Sequence, residues 1–365
     1  MKKQFPNTPI LGLTATATET VIIDIQKILN IEGCVILKDS FFRANLKYII
    51  KPRSSSENKD VLIEEISNLL KTKYKDQSGI IYCLTIKDTE EVSTKLSSHG
   101  IASKCYHAQL TGEMRSKVYK KWYRNKVQVI VATVAFGMGI NKLDLKFVIH
   151  FSMSKSLENY YQETGRAGRD GKPADCILYF RFADVFRTTS LIFTEKNGIS
   201  NAYHMLAYCL NTTDCRKEQI ANYFNDELKE KCNGNCDNCE DGQQFGELDV
   251  TKYCNNLITI LKHAENLQER MTPLKLIDAW MGKGNKKLRV DKVIAPNDLS
   301  RVTCEKIICL LIVDQHLKEE FHFTPYSTIS YLVPGPRSHS INKTSIVYNL
   351  KPLNKRGSDS SLING

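Results

Sequence analysis

The stretch Tyr160–Gly171, Tyr-Tyr-Gln-Glu-Thr-Gly-Arg-Ala-Gly-Arg-Asp-Gly, sets two arginines, Arg166 and Arg169, among three glycines, Gly165, Gly168 and Gly171. Glycine lets backbone come close to a phosphate. A guanidinium is a rigid fork of donors that matches phosphate oxygens. Such a loop can place arginine fingers on a nucleotide, an effect of roughly 10³–10⁵-fold on phosphoryl transfer where it operates. No G-x-x-x-x-G-K-[ST] occurs in the 365 residues, so nothing in them reads as a cradle for that nucleotide's phosphates and metal.

A second candidate is Val131-Ala-Thr-Val-Ala-Phe-Gly-Met-Gly-Ile-Asn-Lys-Leu-Asp144. Thr133 offers a hydroxyl to a phosphate, and Gly137 and Gly139 let backbone N–H groups approach one. Alone, a tight strand-to-helix turn would look the same; beside the arginine loop the segment reads as a phosphate grip. His107 ends a strand in Tyr106-His107-Ala108 and is either a part of this site or a structural histidine. Leu13-Thr-Ala-Thr-Ala-Thr18 supplies three hydroxyls at a strand end, which could equally be the capped start of a helix.

Cys215, Cys232, Cys236 and Cys239 follow the spacing C-x16-C-x3-C-x2-C. The glycine and asparagines between the last three allow the turns that aim sulfurs at one centre. Four thiolates favour a tetrahedral, coordinatively closed and therefore structural Zn²⁺. Disulfides are the alternative, and a reducing compartment disfavours them. The other eight cysteines are scattered singly and read as reduced core or surface thiols.

These groups need a scaffold, and the pattern around them supplies one. Short β-branched strands at Gly79–Leu84, Ser103–His107, Gln128–Ala132, Phe147–Phe151 and Cys176–Tyr179 alternate with helices at Val61–Leu70, Thr89–His99, Gly112–Arg124 and Ser156–Thr164. That alternation predicts an α/β fold, a parallel sheet with helices on both faces and ligands at the loops beyond the strand C-termini. Upstream, strands are expected at Ile10–Thr14 and Val35–Leu37 with a helix between, and Pro52–Lys59 is expected to be a loop.

Downstream, Ala183–Leu210 reads as helical, followed by the cysteine cluster and a polar break at Glu240–Glu247. Helices are expected over Asp249–Gln268, from Thr272-Pro273 onward and over Glu305–Val313. A hairpin follows, with strands around Leu317–Phe323 and Ile329–Leu332. Helices followed by a hairpin suggest an α+β winged helix. From Gly335 the chain is rich in Ser, Asn, Lys and Pro and is expected to be disordered.

The net charge of +11 and pI near 9.0 suit an anionic partner, nucleic acid first, or equally, on charge alone, a merely soluble basic surface. No run of about 18 apolar residues occurs, so no membrane partner is expected, and the N-terminus lacks a signal-peptide core. Lys283, Lys286, Lys287 and Arg289 form a basic run suited to DNA phosphates or, more plainly, a solvated face. Tyr326, in the turn Thr324-Pro-Tyr-Ser327, is either a base-stacking tip or an ordinary turn tyrosine.

Taken together, these motifs resemble the RecQ DNA helicases of helicase superfamily 2, from about Pro9 to about Gly335. Leu13–Thr18 resembles motif III, Gly79–Cys83 motif IV, Val131–Asp144 motif V and Tyr160–Gly171 motif VI. Ser40–Leu46 resembles the segment opening the second motor domain. Ser152–Ser156, Leu274–Gly284 and Thr328–Leu332 bring the chain nearest to the short metazoan members. The resemblance implies a remnant of a first RecA-like domain at 1–38, a second RecA-like helicase domain at 39–182, a helical zinc-binding domain at 183–245, a winged helix at 246–335 and a disordered tail at 336–365.

It also implies an ATP-driven motor moving 3′→5′ on single-stranded DNA and docking on forked duplex, in the nucleus. Arg166 and Arg169 would reach ATP held with Mg²⁺ by the first domain, and Gln162 would sense the nucleotide. Thr133, Gly137, Gly139, Asp144 and His107 would couple nucleotide to the tracking strand, and Tyr326 would wedge between base pairs. Members of the family differ in oligomeric state, so a homo-oligomer stays open. Because the chain begins at motif III, it is expected to hydrolyse negligible ATP alone, or to serve as a non-catalytic, zinc-stapled DNA-binding module.

Overall fold

The computed structural model describes residues 5, 7–14, 16–137, 140–228, 230–240, 246–340 and 345–350. A helix α1 (Glu19–Leu29) precedes an alternating unit: β1 (Leu46–Arg53), α2 (Lys59–Lys71), β2 (Ser78–Tyr82), α3 (Ile86–Ser98), β3 (Ser103–Tyr106), α4 (Gly112–Tyr123), β4 (Val129–Ala132), β5 (Leu145–His150), α5 (Leu157–Thr164) and β6 (Ala174–Arg181). The six strands form one parallel sheet in the order β1-β6-β5-β2-β4-β3.

Both faces of the sheet are covered, which is why its strands read as continuous apolar runs. Ile81, Val129, Val131, Phe147, Ile149 and Tyr179 face a core completed by Leu62, Ile66 and Leu70 of α2 and Val92 and Leu96 of α3. The alternate residues, among them Tyr48, Ile80, Ile130, Val148 and Leu178, face Trp122 of α4 and Leu157 and Tyr160 of α5. That second core does not stop at the sheet. It runs on through Leu206, Cys236, Leu257, Trp280 and Ile308 as one buried cluster.

The elements that carry it follow β6: α6 (Phe182–Ile192), α7 (Gly198–Leu210), α8 (Arg216–Tyr223), α9 (Asp237–Glu240), β7 (Gly246–Asp249), α10 (Thr251–Asn266), α11 (Pro273–Trp280), α12 (Arg301–Val313), the antiparallel hairpin β8 (Leu317–Phe323) and β9 (Thr328–Pro334), and β10 (Val347–Leu350). Helix α11 starts as its sequence asks, with the Thr272 hydroxyl accepting from Lys275 N and Pro273 in the first turn. Ser300 caps α12 in the same way through Thr303 N, so that helix begins earlier than the expected Glu305.

Four expectations are corrected. Residues 10–14 and 35–37 form no strand, because no described neighbour offers them a ladder of hydrogen bonds. Strand β1 extends through Pro52 where a loop was expected; as an edge strand it tolerates a proline. The helical stretch Ala183–Leu210 is broken between α6 and α7 at Asn197, whose φ is +61°. The expected disordered tail instead carries a short 3₁₀ turn at Pro336–Ser340 and strand β10, which pairs antiparallel with β7 inside the expected polar break. Val250 N donates to Ile346 O at 2.8 Å, and the Tyr348 hydroxyl meets Asp314 at 2.5 Å. Residues 341–344 and 351–365 of that tail lie outside the described residues.

One close approach sets the spacing within the sheet. A Cβ on Gly79 of β2 would sit 2.0 Å from the Phe147 ring of β5. Gly79→Ala is therefore expected to cost about 1–3 kcal/mol by overpacking, read as a lower urea midpoint; an unchanged midpoint would contradict this packing.

Candidate functional site

The arginine loop leaves α5 and enters β6. Arg166 donates through Nη1 to Gly137 O, and Arg169 donates through Nη1 to Ile140 O at 2.7 Å. Both guanidinium groups thus lie side by side on carbonyls of the segment that follows β4. A Cβ at 137 would stand 2.7 Å from Arg166 Nη2, so glycine here lets the guanidinium lie against the backbone without having to shift. Arg166 Nε is buried without a hydrogen-bond partner, leaving donor capacity on the same fork. Burial, then the neighbouring Arg166 and Arg43 charges, lower the Arg169 pKa from its ordinary value. Crowded like charges of this kind are relieved by an anion.

The loop is held from outside by two residues the sequence reading did not single out. Arg43 Nη2 donates to Gly168 O at 3.2 Å, and Asn45 Nδ2 donates to Gly168 O and Lys172 O at 2.8 and 2.9 Å. Gly168 N donates to Leu145 O at the first residue of β5. The second half of the loop therefore sits where the chain enters β5 and β6, not beyond the strand C-termini as most of the motifs were expected to. Both Arg43 and Asn45 lie in Ser40–Leu46, so the signal was present in a segment singled out for another reason. Gln162 donates through Nε2 to the Thr16 hydroxyl and so bridges α5 to the first described segment.

Thr133 follows β4 directly, half-buried, with its N–H on Tyr106 O at 3.3 Å. Gly139 lies outside the described residues, as does Met138. Asp144 has a different setting from the one expected. Its carboxylate sits 2.9 Å from the buried Lys142 ammonium, which also donates to Asn125 at 2.7 Å. His107 is buried at the end of β3, with Nε2 3.4 Å from Glu90 and no aligned hydrogen bond on either ring nitrogen. Among the described residues no hydrogen bond or ion pair joins Asp144 or His107 to Arg166 or Arg169. A buried pair missed by the sequence reading, His150 and Glu163 at 2.7 Å with Ser154 donating to the same carboxylate, locks α5 to the end of β5.

Cys215, Cys232, Cys236 and Cys239 converge, their sulfurs all within 4.8 Å of one another. That is the separation tetrahedral Zn²⁺ with Zn–S near 2.3 Å requires. The first three are buried and Cys239 is exposed. Cys215 caps α8, and Cys236 precedes α9. A hydrogen bond from the Cys215 thiol, and then N–H groups of Arg216 and Cys239, lower the Cys236 pKa against the effect of burial. The donor set fits the metal; bound there, zinc would join the four ends without an open position.

The cluster is riveted to the sheet. Tyr48 of β1 and Cys236 form a parallel bridge, Ile50 N donates to Asp237 at 2.8 Å, and Asn235 Nδ2 donates to Ala44 O at 2.6 Å. Asp237 also accepts from Arg216 Nε at 2.8 Å and Nη2 at 3.2 Å.

Of the basic run, Lys283, Lys286 and Lys287 are exposed. Arg289 is turned inward to build the loop, donating to Gly284 O at 2.7 Å and Lys283 O at 3.2 Å. At the hairpin tip the Thr324 hydroxyl accepts from Ser327 N at 3.0 Å and donates to Ser327 O at 2.6 Å. The turn leaves Tyr326 97% exposed.

Residues 59–171 match the helicase conserved C-terminal domain, and residues 182–240 match the RecQ zinc-binding domain. The chain is 52% identical over 344 residues to the ATP-dependent DNA helicase Q1 of Pongo abelii, covering 94% of this chain and 52% of that protein. It is 50% identical to the protein of that name from Rattus norvegicus, covering 93% of this chain and 54% of that protein. To the ATP-dependent DNA helicase Q-like 2 of Arabidopsis thaliana it is 42% identical, covering 93% and 47%. The chain spans about half the length of these curated relatives. A parallel-sheet lobe with a four-cysteine module fastened to its edge strand defines a helicase lobe with a zinc-binding appendage. The chain belongs to the RecQ family of helicases.

Cys236→Ser is expected to abolish stoichiometric zinc, measured by atomic absorption, and to lower stability by about 3 kcal/mol or more, modest beside the 10–16 kcal/mol of structural zinc in small domains. Full stability without zinc would show that the cluster folds on hydrogen bonds alone.

Proposed function

We propose that this chain supplies the arginine-finger lobe and the DNA-docking part of an ATP-dependent 3′→5′ DNA helicase acting in DNA repair, recombination and replication in the nucleus. The observation that carries this reading is that Arg166 and Arg169 both rest on the segment that follows β4, one on the Gly137 carbonyl and the other on that of Ile140. Two forks side by side can exchange those carbonyls for the oxygens of one phosphate group, so nucleotide binding and release would pull directly on the loop that follows β4. Gln162, bonded to Thr16, would report the nucleotide to the first segment. Thr133 would grip the tracking strand at a phosphate.

ATP and Mg²⁺ are held, in this reading, mainly by residues outside these 365. The apolar side chains Leu11, Leu13, Ile28, Val35 and Leu37, 80–93% exposed, support the view that residues 1–38 belong against a neighbouring lobe. Zn²⁺ is structural. α10–α12 with the β8–β9 hairpin act as a winged helix, with Lys283, Lys286 and Lys287 on duplex phosphates and Tyr326 at the junction between duplex and single strands. Arg289 braces the same loop on the Gly284 and Lys283 carbonyls and joins the lysines on the phosphates.

A second reading, a non-catalytic DNA-binding module stapled by zinc, is favoured by the lack of a phosphate-binding loop in the chain. Adding a separately expressed lobe that carries such a loop separates the two. DNA-dependent ATP turnover that appears with the wild-type chain and falls at least about 10³-fold with Arg169→Ala supports the first reading. Turnover that never appears supports the second.

For the chain alone, titration of forked DNA with Mg-ATP is expected to show tight, salt-sensitive binding and no turnover above background. Tyr326→Ala is expected to weaken engagement of the fork junction by about 1–3 kcal/mol, the contribution of one stacked base. DNA-stimulated hydrolysis by the chain alone would overturn the division of labour, and absence of binding would overturn the docking role.

A further inference from the structure

The hairpin that presents Tyr326 is not held by apolar packing alone. Along β8 the inward residues are Leu317 and Glu319; Leu332 of β9 stands opposite Glu319, and Ser330, opposite Phe321, lies two residues along on the same strand, all four buried. The Glu319 side chain collects three hydroxyl donors from three different elements. Thr189 of α6 donates at 2.7 Å, Tyr203 of α7 at 2.9 Å and Ser330 of β9 at 2.5 Å. Among the described residues no Lys, Arg or His stands within ion-pair distance of it. Burial raises its pKa above the ordinary carboxyl value, opposed by the three hydroxyls.

An acidic side chain kept inside a core without a cation is a costly choice for simple adhesion. What it provides that leucine would not is direction, since each oxygen accepts only along defined lines.

Two of its donors belong to the helices that continue the sheet. α6 begins at the residue after β6, and it is fixed there by Ala183 N on the Ser55 hydroxyl at 2.9 Å and by Arg187 on Asp88 of α3 at 2.5 Å. Just beyond α6, Phe193 stacks on Phe321 at 4.8 Å and tilts against Phe323 at 5.1 Å. An unbroken series of contacts therefore runs from the sheet through α6 to the hairpin and its tip.

We infer that Glu319 is a positioning residue, the joint through which the motor sheet sets the orientation of the β8–β9 hairpin and aims Tyr326 at the fork junction. This rests on the DNA-docking reading given above. A displacement of the sheet is passed to the tip because the joint belongs to α6 and α7 as much as to the hairpin.

The test uses the full 365-residue chain and forked DNA with 2-aminopurine in the base pair next to the junction. Wild type is expected to raise its fluorescence by unstacking the base, and Tyr326→Ala to abolish the rise. Glu319→Leu is expected to reduce the rise at least fivefold while affinity for single-stranded DNA stays within twofold and zinc content is unchanged. Glu319→Gln keeps a carbonyl for Thr189 and Ser330 and is expected to recover at least half of the rise. The double variant Thr189→Val, Tyr203→Phe leaves the acid in place and removes two donors, and it should reproduce the loss seen with Glu319→Leu.

A wild-type rise in Glu319→Leu or in the double variant overturns the proposal. So does a joint loss of junction opening, single-strand affinity and zinc in both, which would make the cluster a general fold element. A full rise in Tyr326→Ala instead overturns the docking reading itself, and the two failures are thereby distinguished.

Discussion

The bond between Arg216 and Asp237 is the constraint on which the remaining architecture depends. Arg216 is 1% exposed, and Asp237 accepts from it at two atoms while taking the Ile50 N–H of β1 on the same carboxylate. Its Nη1 closes the end of α7 on Tyr208 O at 2.6 Å. This pair, its arginine buried and its carboxylate half-buried, thus joins the knuckle of the cysteine cluster, the start of α8, the end of α7 and the edge strand of the sheet. A charge pair inside protein is retained where its geometry is good, and here Nε, Nη1 and Nη2 of Arg216 each find an acceptor. Removing either partner would leave the other unmatched beside the apolar cluster that runs from Leu46 to Ile346.

That core explains why the parts act together. Many multidomain proteins are joined by small, polar interfaces that allow relative motion. Here the face of the sheet toward α4 and α5 shares its apolar cluster with α7, α10, α11 and α12. α8 adds Lys217, buried, with its ammonium on Ala44 O at 3.1 Å and 4.8 Å above the Phe42 ring. The segment that leads into β1 is therefore clamped between the arginine loop on one side and the cysteine unit on the other. A pull exerted at Gly168 through Arg43 and Asn45 has few soft joints in which to dissipate before it reaches the zinc cluster.

Much of this was legible in the residues. The strands β2 to β6 announce themselves by short β-branched runs, the arginine loop by its glycines, and the cysteine cluster by a spacing that few other structures need. Strand β1 was hidden because Lys47, Lys51, Pro52 and Arg53 are residues that only an edge strand tolerates. β7 and β10 were hidden because each is short and its partner lies about a hundred positions away, so no local pattern records the pairing. The settings of Asp144 and His107 were not legible for a related reason. A side chain next to a phosphate-binding motif can turn toward the site or toward another neighbour, and only the fold places the buried Lys142 beside Asp144 and the exposed Glu90 beside His107. Glu319 could have been read, since the alternation of Leu317 and Leu332 points it inward, but an acid among hydrophobic residues is usually assigned to solvent.

The pairing of β10 with β7 has a consequence for how the polypeptide can be divided. A boundary drawn at Gly335, where the composition turns polar, would remove the strand that covers Gly246–Asp249. It would also take away Ile346, whose carbonyl receives Val250 N and whose N–H rests on the Thr251 hydroxyl. The first turn of α10 would lose its outer partner, and β7 would become an unpaired edge next to the cysteine cluster. Exposed edges of this kind recruit other strands. A shortened chain would thus be prone to associate with its own copies for a reason unrelated to any natural assembly, and its solution mass would report the cut.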